Sequence, residues 1–161
     1  MKKLSFLNKL RDAGSLELVD ASDEICSSYL EKADNCLKSA RLLLDNNLYE
    51  NSVSMSYYIM YNSLTALLFK LGIKCENHSG SILVFGRLFG RNELFKTISF
   101  AKKERIDKQY YVTSKKDFTL TKESAQDMLS KAEEFIIQMR LLIDRLSNED
   151  IKRLRFDFSK I

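Results

Sequence analysis

No proline interrupts the 161-residue sequence, and it has only five glycines. Sandwiches, barrels and propellers need turn residues every few positions, so this scarcity argues for long uninterrupted helices. The chain is 45% apolar and 30% charged. That is too apolar for intrinsic disorder, and the length suits a single domain able to bury about 70% of its unfolded surface. The expected fold is all-α, an antiparallel bundle of four or five helices.

Apolar spacing places the helices. A stripe of Ile25, Tyr29, Ala33, Cys36/Leu37, Ala40 and Leu43/Leu44 steps by three and four, with Asp20 or Ser22 as its cap and Asp45-Asn46-Asn47 as its end. A second helix runs from about Leu48 to Leu71, and Gly72 is a natural left-handed stop. After a loop over Ile73 to Asn77, a short apolar helix spans Ser81 to Phe89 and Gly90 breaks it. Asn92 opens a helix reaching about Tyr111, and Val112 to Leu120 reads as a polar loop. Thr121 then opens a long helix with the stripe Ala125, Met128/Leu129, Ala132, Phe135/Ile136, Met139, Leu142/Ile143 and Leu146. Residues 1–20 form an amino-terminal arm, 21–147 the bundle, and 148–161 a basic carboxy-terminal extension carrying Lys152, Arg153 and Arg155.

Asn51 to Phe69 carries no charge, but its serines, asparagines and Thr65 are too polar for lipid on every side, so a helix buried in protein is expected. No signal peptide is visible, and Cys26, Cys36 and Cys75 lack paired spacing, which fits a reducing cytoplasm. One histidine in the whole chain gives no zinc-ligand pattern, and no metal or cofactor is expected. The net charge of +4 permits contact with phosphates without demanding it.

Three features can carry chemistry. In Ser56-Tyr57-Tyr58-Ile59-Met60-Tyr61 the tyrosines either pack in the core or, for Tyr57 or Tyr58, offer a hydroxyl to a phosphate or base. His78-Ser79-Gly80 precedes an apolar helix that Ser79 can cap, where backbone N–H groups favour an anion and His78 titrates near neutrality. Otherwise His78 simply fastens the loop. Arg105 and Gln109 lie one turn apart in Arg105-Ile106-Asp107-Lys108-Gln109-Tyr110. Arg105 anchors the bundle through Asp107 or Glu104, or it approaches His78 and binds phosphate by its fork. The doublet Lys102-Lys103 reads as a solvated face.

In this order the strings resemble the HEPN superfamily, helical-bundle proteins of prokaryotes often encoded beside minimal nucleotidyltransferases. The resemblance rests on Ser56 to Tyr61, Ala66-Leu67-Leu68, Gly72-Ile73-Lys74, His78-Ser79-Gly80 and Phe85. Arg105 to Tyr110 is similar to that branch's Arg-x-x-x-Asp-Tyr element, with Gln109 where an acid is usual, and Thr121 to Phe135 to its closing helix. It covers about residues 22–146. It implies a bundle that often dimerises and, in many members, a metal-independent ribonuclease acting as a toxin or defence effector through an Arg–x(4–6)–His motif. Lys74, Ile73, Gly72 and Leu71 occupy the positions four to seven before His78, none of them arginine, so that motif is absent. The Arg–His–x–Tyr version is absent too, since Gly80 stands two residues after His78.

The resulting expectation is a binding module of a toxin–antitoxin or defence system, as a homodimer or in complex with a nucleotidyltransferase or other effector, with RNA or a nucleotide as possible ligand and no membrane. The alternatives are a noncanonical metal-independent endoribonuclease using His78 and Arg105, and a structural adaptor. The expected binding residues are Tyr57, Tyr58, Ser79, Gly80, Gln109 and Tyr110.

Overall fold

The computed structural model describes the backbone of residues 2–110 and 120–161, and the side chains of 5–106 and 120–161. Among these residues the chain forms α1 (Lys2–Asp12), β1 (Leu16–Leu18), α2 (Asp23–Asp45), α3 (Tyr49–Lys70), β2 (Ile73–Cys75), α4 (His78–Phe89), α5 (Asn92–Tyr110), α6 (Lys122–Arg145) and α7 (Asn148–Ser159). The all-helical expectation holds. The segment read as Val112 to Leu120 lies, but for Leu120, outside the described residues.

Local chemistry fixes the helix ends. Ser22 caps α2 by accepting from the Ile25 N–H at 3.1 Å. Thr121 and Ser124 form a reciprocal capping box at the start of α6, and Ser147 with Asp150 does the same for α7. The basic extension is therefore a helix of its own. After α3 the chain turns through Gly72 at φ 68°; a Cβ there would collide with Val19 O and Arg155 Nη1, so only glycine fits.

α3 is the central helix, packed by α2, α4, α5 and α6. Contacts set the directions. Ser52 Oγ donates to Ala40 O at 2.9 Å at one end of the α2–α3 pair, and Tyr29 stacks on Phe69 at the other, so the two helices run antiparallel. Arg41–Glu133 and Asp34–Arg140 order α2 and α6 the same way, which leaves α3 and α6 parallel to each other. The uncharged stretch in α3 is satisfied inside protein: Ser56, Ser63 and Thr65 donate to the carbonyls of Ser52, Met60 and Tyr61 at 2.9, 3.0 and 2.8 Å. Among the described residues no helix is long and apolar enough to cross a membrane.

Two features differ from the sequence expectation. Ile73 to Cys75, read as loop, pairs antiparallel with Leu16–Leu18, so the arm adds a strand to the corner after α3. Three-residue strands are too short for period-two alternation to show. The arm is packed down at Leu7 and Leu16, 0% and 2% exposed. The short apolar helix begins at His78 instead of Ser81, capped by Asn77 in place of Ser79: Asn77 Oδ1 accepts from the Gly80 N–H at 3.0 Å.

Candidate functional site

The buried face of α3, the first turn of α4 and the middle of α5 converge on Tyr57. Its ring is fully buried, as the helical spacing in α3 requires of a residue one turn from Val53 and Met60. Its hydroxyl lies 2.6 Å from His78 Nδ1 on α4. The imidazole stacks on Tyr61, with ring centroids 3.7 Å apart and planes 13° apart. On another side, the Arg105 guanidinium carbon sits 5.5 Å from the Tyr57 ring centroid and 4.9 Å from that of Tyr58. The structure thus brings the single imidazole and the guanidinium together around one phenol, although 27 positions separate them in the chain.

Lys102, one turn before Arg105 on α5, donates its ammonium to the Ser79 hydroxyl. Sequence reasoning missed it because a Lys-Lys doublet on a polar helix looks solvated; its i, i+3 spacing from Arg105 was the available signal. Ser79 is therefore held from α5 and does not cap α4. The Gly80 N–H is engaged by Asn77. A Cβ on Gly80 would press against Leu10 Cδ1 and Cys75 Sγ, so the close seat of α1 against this turn needs glycine. Gln109 and Tyr110 belong to α5, but their side chains lie outside the described residues.

The electrostatics are one-sided. Burial lowers the His78 imidazole below its ordinary value of 6.5, and Arg105 and Lys102 lower it further. Burial and Arg105 likewise depress the Lys102 amine. The Tyr57 phenol is pushed up, chiefly by burial, so it keeps its proton. Among the described residues no ion pair involves His78, Lys102 or Arg105. The expected anchoring of Arg105 by Glu104 is not formed, and the side chain of Asp107 is outside the described residues. Buried Arg105 Nε has no hydrogen-bond partner among those residues. Such a donor costs about 1–3 kcal/mol when left unpaired. One unpaired guanidinium donor, two mutually repelling cations and a neutral imidazole suit an anionic oxygen-rich ligand such as a phosphate. Groups of three or more metal-ligating side chains are absent among the described residues.

Comparison with known proteins places this arrangement in context. The HEPN domain model matches residues 26–141, which include Tyr57, His78, Lys102 and Arg105. "Putative toxin MJ0605" of Methanocaldococcus jannaschii is 29% identical over 79% of this chain and 89% of its own length. "UPF0332 protein PH1297" of Pyrococcus horikoshii is 30% identical over 80% of both chains. "Putative toxin MJ0142" of Methanocaldococcus jannaschii is 30% identical over 66% of this chain and 74% of its own. A family match spanning most of the polypeptide, over a helical bundle with its His-Ser-Gly turn set against Arg105, makes the chain a member of the HEPN domain family.

Proposed function

We propose that this chain is a toxin-type HEPN module that binds RNA by its phosphates at the Tyr57–His78–Arg105 cluster. The observation that carries the reading is that His78 and Arg105 meet at one buried tyrosine with Lys102 beside them on Ser79, no carboxylate among the described residues pairing with any of the three and Arg105 Nε unpartnered among those residues. Two similar proteins carry toxin names, which supports the toxin-type half of the proposal. Action in a hetero-complex with a nucleotidyltransferase, in a toxin–antitoxin or defence setting, belongs to the same proposal and rests on the family resemblance.

A second reading is favoured by one observation, the approach of imidazole and guanidinium to the same phenol. That pairing suits a ribonuclease in which Arg105 holds the scissile phosphate and His78 serves the reacting oxygens. One experiment separates the readings: labelled single-stranded RNA incubated with wild type, His78→Ala and Arg105→Ala, assayed for both retention and cleavage. The binding module predicts retention by wild type, weakened in both variants, with intact RNA throughout. Cleavage by wild type that His78→Ala abolishes selects the ribonuclease. RNA neither retained nor cut by the wild type overturns both.

A further inference from the structure

The Tyr57 hydroxyl has one hydrogen, and its side chain is 0% exposed. Among the described residues its hydroxyl has a single hydrogen-bond partner, His78 Nδ1 at 2.6 Å. A buried hydroxyl hydrogen without an acceptor is costly, so the hydrogen goes to Nδ1. Nδ1 must then be the lone-pair nitrogen, and in a neutral ring the proton sits on Nε2. Tyr61 covers one face of the ring, and Nε2 has no partner among the described residues.

We infer that Tyr57 locks His78 in the Nε2–H tautomer, making His78 a hydrogen-bond donor to a phosphate oxygen and not a proton acceptor. Tyr57 is thus a positioning residue, acting on the ligand only through the imidazole. The inference rests on the phosphate reading for the identity of the acceptor, but the tautomer follows from the geometry alone. Lys102 and Arg105 make the neutral state self-consistent, since both disfavour a second proton on the ring. A neutral donor also explains how a ring this close to two cations contributes to anion binding without adding charge. In the ribonuclease reading, the proton taken from an attacking hydroxyl would have to go to another group.

The chain has one histidine, so a tag-free protein gives a single imidazole spectrum. Long-range proton–nitrogen correlation of the wild type is expected to show an unprotonated Nδ1 and a protonated Nε2, with inorganic phosphate or a short single-stranded RNA shifting the Nε2–H signal. Tyr57→Phe should release the ring into a mixture of tautomers. His78→Gln, whose amide nitrogen falls near the Nε2 position, should hold RNA within about twofold of wild type, whereas His78→Asn should lose about tenfold. A protonated Nδ1 in the wild type, or identical spectra for wild type and Tyr57→Phe, overturns the inference. RNA binding that leaves Nε2–H unmoved, with Gln and Asn variants equal, overturns the donor role alone. A wild type that shows the expected tautomer but binds neither phosphate nor RNA overturns the functional reading and the donor role, leaving only the locking by Tyr57.

Discussion

Along the seam between α2 and α6 each arginine faces an acid: Arg41 meets Glu133 and Arg140 meets Asp34, both at 2.7 Å. Where α4 meets α5, Arg105 and Lys102 lie with His78 among tyrosines, and no described residue supplies a carboxylate to them. The same residue types therefore do different work. On the seam, charge neutralises charge in water-exposed pairs that hold two helices in register. At the α4–α5 junction, cationic donors are brought together with no carboxylate to pair with them among the described residues, a state the bundle sustains through burial and ring stacking and that an anion would relieve.

Substitutions on the two sides put that contrast to the test. Arg105→Ala should weaken single-stranded RNA binding most, by roughly tenfold to a hundredfold for the loss of charge-assisted bonds, measured by fluorescence anisotropy. Unfolding should be little affected or slightly favourable to the variant, because a buried unpaired donor is removed. Tyr57→Phe should cost about 1–2 kcal/mol in denaturant unfolding, since Nδ1 of His78 loses its donor in a half-buried place. Arg140→Ala should cost less than about 1 kcal/mol, because its side chain and that of Asp34 are 41% and 45% exposed, and it should leave RNA affinity unchanged.

The smallest effect concerns pH. His78 titrates below its ordinary value of 6.5 in the folded chain, so the unfolded chain takes up the proton first as pH falls. Stability is then complete above about 6.5 and declines as pH drops toward the folded value. His78→Gln should flatten that part of the profile in thermal unfolding between about pH 7 and 5, with wild type losing more. Arg105→Ala should move the His78 titration upward, toward its ordinary value, as followed by its ring proton shifts. Asp34→Ala, on the paired seam, should leave the titration where it is.

Much of this was legible in sequence, for identifiable reasons. Ser22, Gly72 and Thr121 mark helix ends through chemistry confined to a few residues, and the stripe from Ala125 to Ile143 shows its period without help from the fold. Residues Tyr57, His78 and Arg105 stood out by type, and the structure brings them together. Lys102 was not legible, because its neighbour Ser79 lies 23 positions away and the doublet with Lys103 mimics a solvated face. Nor was the cap: Asn77 and Ser79 both suit that position by residue type, and in the fold Asn77 accepts from the Gly80 N–H while the Ser79 hydroxyl accepts from Lys102 on α5. The strand pair was hidden for a related reason, since Leu16–Leu18 finds its partner only across α2 and α3.

The donors at the α4–α5 junction that lack described acids, and not basic charge in general, should govern RNA binding. The most direct test is a side-by-side titration of one single-stranded RNA against wild type, Arg105→Ala and Arg140→Ala over a series of salt concentrations. Only Arg105→Ala should weaken binding and flatten the salt dependence, by about 0.7 in log–log slope for one lost phosphate contact. Equal weakening by the two arginine variants, or affinity untouched by both, would contradict this expectation.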